Sequence, residues 1–125
     1  MNRKKIQSGS ALIEAMISML IFFVGLVALI GMSTQANNQL TQSKSRNDAS
    51  NLASELIGDI WVSGATPATY NTGAWLSRVQ NTLPGGNATV TPNGDQVQIV
   101  ITWTDAKDPG IAPRYDTTAQ ITRNP

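Results

Sequence analysis

Ala15–Met32 reads AMISMLIFFVGLVALIGM, an uncharged run in which Ser18 carries the only hydroxyl. At ~1.5 Å rise per residue, about 20 such residues cross the ~30 Å hydrocarbon core of a bilayer, so the run meets the length of a membrane-spanning helix. A buried helix of a soluble protein is the competing reading, but a chain of 125 residues has little material with which to cover it on all sides. Upstream lie Arg3, Lys4 and Lys5. A basic cluster before an apolar run orients the N-terminus toward the cytoplasm and everything beyond the run outward. A cleaved secretory signal also begins this way. The segment after the run, Gly31-Met32-Ser33-Thr34-Gln35, lacks the small-x-small pattern of that cleavage, whereas an uncleaved signal anchor fits.

Glu14 sits at the mouth of the run, directly after Ala11-Leu12-Ile13. A carboxylate at the centre of a membrane helix costs about 2.5–3.5 kcal/mol, less near the interface. It either reaches the interfacial water or meets a cation on another subunit.

Downstream, no proline occurs before Pro67. Ala49, Leu52, Ala53, Leu56, Ile57 and Ile60 recur at the spacing of one helix face. Glu55 and Asp59 fall elsewhere on the helix. These features predict one nearly continuous helix over 11–62, its first half in lipid and its second half packed on a domain. Ser63-Gly64 and Pro67 supply its stop. The intervening stretch 33–48 is rich in Asn, Gln and Ser; it reads as a solvated helix or a melted segment, with Lys44, Arg46 and Asp48 on a solvated face.

Beyond Gly64, Trp75, Leu76, Val79 and Leu83 predict a short amphipathic helix, with Asn71 or Thr72 as its cap and Pro84-Gly85-Gly86 as its stop. The Gly-Gly pair is read as a turn, because no Lys-Ser/Thr follows and no strand precedes. Asn87 to Thr91 and Gln96 to Thr104 predict two strands around an Asn93-Gly94 hairpin turn. Val97, Ile99, Ile101 and Trp103 alternate onto one face. A loop over 105–114 leads to a last strand, 115–123, with Tyr115, Thr117, Ala119 and Ile121 on one face. The fold class is therefore α+β: a long N-terminal helix packed on a small antiparallel sheet.

Composition narrows the chemistry. The chain has no His and no Cys, which excludes imidazole bases, thiolate nucleophiles, zinc–thiolate sites and disulfides. The formal charge of +1 gives no bulk electrostatic case for a nucleic-acid partner. Asp105, Asp108 and Asp116 could offer oxygen ligands to Ca²⁺, but the spacing is not that of an EF-hand and Lys107 and Arg114 interleave, so turn-forming Asp residues in a solvated loop are the reading adopted. No activated nucleophile is evident. The expectation is a non-enzymatic protein without cofactor or metal.

The order of features at the N-terminus, a basic leader, Gly9, Ser10, Ala11-Leu12-Ile13-Glu14 and then the apolar run, resembles the class III signal of type IV pilins and pseudopilins. The resemblance is strong over about the first 35 residues. It implies cleavage by a prepilin peptidase between Gly9 and Ser10, N-methylation of Ser10, and retention of the apolar segment as a membrane anchor and then a filament core. Glu14 becomes the fifth residue of the mature chain and sets subunit assembly and register. Removing Arg3, Lys4 and Lys5 leaves six basic against eight acidic side chains.

Two departures stand out. The mature chain begins with Ser10 where many members have Phe, and no helix-bending proline lies near Gly31. The second points to a minor component rather than the bulk subunit. Trp75-Leu76, Leu83-Pro84-Gly85-Gly86 and Ile101-Thr102-Trp103-Thr104-Asp105 resemble PilV-type minor pilins and, less specifically, the I-type minor pseudopilins of type II secretion.

The implied organisation is a cleaved leader at 1–9, a transmembrane and filament-core helix at 10–35 and a globular domain at 36–125. The implied partners are prepilin peptidase, other major and minor pilins through N-terminal helix packing, and the bacterial inner membrane before export to the pilus surface. A tip adhesin or DNA-uptake subunit would need a basic or aromatic patch, and Arg78, Arg114 and Arg123 are scattered in the sequence.

Overall fold

The computed structural model describes residues 4–122. Five elements follow one another: helix α1 (Lys4–Ser63), helix α2 (Gly73–Thr82) and strands β1 (Asn87–Asn93), β2 (Gln96–Thr102) and β3 (Arg114–Gln120). The strands form one antiparallel meander in the order β1-β2-β3. The chain divides into two compact units, Met1–Leu40 and Thr41–Pro125.

α1 is a single 60-residue helix, longer at its start than the sequence predicts. No proline interrupts residues 4–10, so the intrahelical hydrogen bonds continue upstream through Ser10 and Gly9. Gly25 and Gly31 cost about 1 kcal/mol each against Ala, yet the helix runs through both. The polar stretch 33–48 is helical too. Some of its polar side chains return to the backbone one turn earlier: Thr34 Oγ1 donates to the Ile30 carbonyl at 3.1 Å, and Asn38 Nδ2 donates to the Thr34 carbonyl. Arg3 of the basic cluster and Arg123 at the end of the predicted last strand lie outside the described residues.

In the second unit, Ala49, Leu52, Ala53, Leu56 and Ile60 form the buried stripe of α1. Ile57, expected on that face, lies at its margin and is half-buried. Ser45 is also buried, which extends the stripe one turn upstream and corrects the expectation of a wholly solvated 33–48 segment. It lies four residues before Ala49, on the same face, and its small side chain fits where a longer polar one would have to leave. Opposing the stripe are Trp75, Val79 and Leu83 from α2 and its end, Val97, Ile99, Ile101 and Trp103 from β2, and Ile121. Fully burying one Leu or Ile side chain contributes about 1.5–3 kcal/mol, so this cluster is what joins helix and sheet. Trp75 also donates its indole N–H to the Leu52 carbonyl at 2.8 Å, which satisfies a buried donor and fixes α2 against α1.

α2 starts without a side-chain bond from Thr72; Asn71 Oδ1 instead accepts the Gly73 N–H at 2.9 Å. After α2 the chain turns at Pro84-Gly85-Gly86. Gly85 has φ +59°, and a Cβ there would collide with the Thr104 hydroxyl. A Cβ on Gly86 would lie 2.6 Å from the Val79 carbonyl oxygen. The Thr104 N–H donates to the Pro84 carbonyl at 2.8 Å, so the turn latches onto the end of β2. This Gly-Gly pair is structural.

The hairpin between β1 and β2 is centred one residue later than expected. Asn93 pairs with Gln96, leaving Gly94-Asp95 as the two-residue loop. Only Gly94 has positive φ, +61°, which is the type II′ pattern and not the type I′ pattern of an Asn-Gly turn. Pro92 gives the physical reason. A turn centred on Asn93-Gly94 would close on Pro92 and Asp95, and that closing pair must exchange two N–H···O bonds. Proline has no N–H to give. In the observed register it faces Val97 instead.

Candidate functional site

The residues singled out by the sequence lie in the first turns of α1. Gly9, Ser10 and Glu14 are all helical and exposed. A Cβ built on Gly9 meets nothing within 4 Å. Glu14 shares a face with Ile17, Ser18 and Ile21 by helical spacing. The Ser18 hydroxyl donates to the Glu14 backbone carbonyl at 2.8 Å, which leaves the carboxylate uncommitted by that contact. Among the described residues Glu14 forms no salt bridge; the ion pairs present join Arg78 to Glu55 and Asp59, and Arg114 to Asp116.

The apolar side chains that follow are not covered by the chain itself. Their exposure runs from 40% at Leu26 to 72% at Met32, and none of the 18-residue apolar window is buried. Phe22 and Phe23 meet edge to face with centroids 6.2 Å apart, inside the preferred range for such pairs. α1 is the one helix among the described residues long and apolar enough to span a membrane, a property that a signal sequence near the N-terminus also meets. An apolar surface of this extent demands a lipid or protein environment.

The second unit places the remaining candidates. The three carboxylates of the 105–116 region do not converge. Asp105 Oδ1 accepts the Lys107 N–H at 2.9 Å, and its Oδ2 accepts Gln42 Nε2 at 2.8 Å. Asp108 Oδ1 accepts the Gly110 N–H at 3.2 Å. Asp116 pairs with Arg114 at 2.6 Å and accepts Gln98 Nε2 at 3.3 Å. Among the described residues no three acidic side chains gather in a way that could hold a metal ion. A surface cleft lies between Gln42 and Arg46 on α1 and Trp103, Asp105, Ile111 and Pro113.

These partners set the titration. The Lys107 N–H and then Gln42 hold Asp105 below the ordinary aspartate value of 3.8, and Arg114 followed by Gln98 does the same for Asp116. A depressed folded pKa adds stability that is present above the unfolded value and lost as pH falls through the folded one. Carboxyl NMR titration of the full chain in detergent should therefore give midpoints below 3.8 for both residues. Midpoints at or above that value would mean that the contacts at Asp105 and Asp116 are absent in solution.

Sequence reasoning missed one polar cluster. Arg78 Nη2 lies 2.9 Å from Glu55 Oε1 and 3.5 Å from Asp59 Oδ2, and Tyr70 donates its hydroxyl to Asp59 Oδ2 at 3.4 Å. Partial burial and then the Asp59 carboxylate push the Tyr70 phenol up. The opposite signs of Glu55, Asp59 and Arg78 were the available signal. At this exposure such pairs contribute about 0–1 kcal/mol, so the cluster adds little to the α1–α2 contact.

The architecture, a long N-terminal apolar helix followed by a small antiparallel sheet, is consistent with a pilin-like fold. No family model, no curated protein and no solved structure matches the chain.

Proposed function

We propose that the chain is a PilV-like minor pilin, a non-enzymatic structural subunit processed by prepilin peptidase between Gly9 and Ser10 and taking part in type IV pilus assembly or initiation. Before assembly it is held in the bacterial inner membrane by its apolar helix, with the N-terminus cytoplasmic and the sheet domain periplasmic; afterwards it belongs to the pilus. The observation that carries this reading is the uncovered apolar half of α1 with Glu14 at its head, continuous in one helix with the stripe that binds the sheet. An apolar helix surface left uncovered in this way is adhesive toward lipid and toward neighbouring helices of the same kind.

Glu14 then selects among those neighbours. In an apolar bundle its carboxylate pairs with the free N-terminus of an adjacent mature subunit. Removing one member of a buried pair strands the other at about 3–5 kcal/mol, and a polar pair fixes axial register that apolar contacts leave loose. Glu14→Ala and Glu14→Val keep the helix and ease membrane insertion, because they delete the cost of the carboxylate. Both variants should reach the membrane at normal levels while incorporation into sheared filaments, or the number of pili, falls by at least about tenfold, the equivalent of 1.4 kcal/mol. Normal incorporation of both would refute the register role. If the same loss appeared in secretion of a folded substrate and not in pili, the subunit would be a minor pseudopilin of a type II system.

A further inference from the structure

We propose that Asn93 is a site of spontaneous deamidation, a covalent modification the native hairpin leaves open and one that does not depend on the pilin reading. Of all the asparagines in the chain, Asn93 alone precedes a glycine. In the reaction the Gly94 backbone nitrogen, losing its proton, forms a bond to Asn93 Cγ. The Cγ–Nδ2 bond breaks and Nδ2 leaves as ammonia, giving a five-membered succinimide. Water then opens the ring at Cγ to give aspartate, or at the Asn93 backbone carbonyl carbon to give isoaspartate. The net change is water consumed and ammonia released, with no oxidant or other co-reactant.

Three features favour this position. Gly94 has no Cβ to crowd the attack. Asn93 and Gly94 are exposed at the end of the sheet, within reach of solvent base and water. Among the described residues the Gly94 N–H makes no backbone hydrogen bond, so none of them holds the nucleophile through the main chain. The other described asparagines are placed differently. Asn37, Asn38, Asn47, Asn51 and Asn81 lie inside helices, whose hydrogen-bond ladder restrains the next backbone nitrogen. At Asn87 the following Ala88 N–H already donates to the side-chain oxygen at 2.9 Å, and at Asn71 that oxygen is held by the Gly73 N–H.

The consequence falls on a defined contact. Asn93 closes the hairpin opposite Gln96. Isoaspartate routes the main chain through Cβ and lengthens it at that pair, and either product sets a new carboxylate beside Asp95. The test incubates the full chain in detergent in mildly alkaline buffer and follows it by ion exchange and peptide mass mapping. The expected result is an acidic species that grows with time, maps to Asn93 as a mixture of aspartate and isoaspartate, and is lost in an Asn93→Ser variant whose Trp fluorescence matches the parent. Two results would overturn the proposal: Asn93 changing no faster than the helical asparagines, or Asn93 staying intact in the native protein and reacting only after denaturation.

Discussion

A Gly9→Val variant is expected to accumulate as the full-length precursor, still carrying Arg3, Lys4 and Lys5, and to be missing from sheared filaments. The substitution is mild for the chain itself. A Cβ at position 9 meets nothing within 4 Å, and the residue lies in the first turns of an exposed helix. Valine is a better helix former than glycine, so a failure to mature cannot be charged to misfolding. What changes is the bond the peptidase must approach: a branched side chain replaces the one residue without any. The bond also lies in helical backbone, which must open before a protease can grip it; helix ends open at little free-energy cost, and valine stiffens that end. An unprocessed chain keeps three cations ahead of its apolar helix, and each is expensive to place in an apolar interior. Intact mass of wild-type filaments should show a subunit beginning at Ser10. A subunit still beginning at Met1 would defeat the pilin reading altogether.

The fold was legible where burial follows a short period. The stripe from Ala49 to Ile60 and the alternation of Val97, Ile99, Ile101 and Trp103 each place apolar groups on one face, and the structure buries them there. The hairpin register was not legible by that route. Moving the turn from Asn93-Gly94 to Gly94-Asp95 shifts the pairing of β1 with β2 by two residues, which keeps every side chain on its face. Hydrophobic alternation cannot tell the two apart. The missing N–H of Pro92 can, because it constrains which pair is able to close the turn. Ser45 was missed for the opposite reason: its polarity concealed a position set by the geometry of the stripe.

The candidate site divides in the same way. Gly9, Ser10 and Glu14 are candidates drawn from a linear pattern, and the fold adds only that all three are helical and exposed. The pairing of Arg78 with Glu55 and Asp59, and that of Gln42 with Asp105 across 63 residues of sequence, depend on how α2 and the 105–113 loop dock. Sign complementarity alone is satisfied by many partners; the docking of α2, to which the Trp75 N–H on the Leu52 carbonyl contributes, brings Arg78 to Glu55 and Asp59.

Leu56→Ala should produce the largest loss of stability in the sheet domain. Leu56 is 0% exposed at the middle of the stripe, between Ala53 and Ile60, with β2 and α2 supplying the rest of the cluster. Truncating a buried Leu removes transfer free energy and leaves a cavity, together about 2–5 kcal/mol, against a total of about 5–15 kcal/mol for a domain. No disulfide can offset the loss, since the chain contains no cysteine. For a domain of this size each kcal/mol moves Tm by about 4–8 °C, so a loss of about 2 kcal/mol or more should lower it by at least about 8 °C. Helicity is the wrong probe, because the apolar half of α1 stays helical in detergent whatever happens to the sheet. Tryptophan near-ultraviolet dichroism is the right one: Trp75 and Trp103 are 1% and 4% exposed, and both lose their surroundings when the core opens. Ser50→Ala, on the same helix but outside the buried stripe, should move the transition by no more than an ordinary surface change, within about 0.5 kcal/mol. Equal small shifts for the two variants would mean that the α1 stripe does not hold the sheet, and the packing of helix on sheet would have to be abandoned.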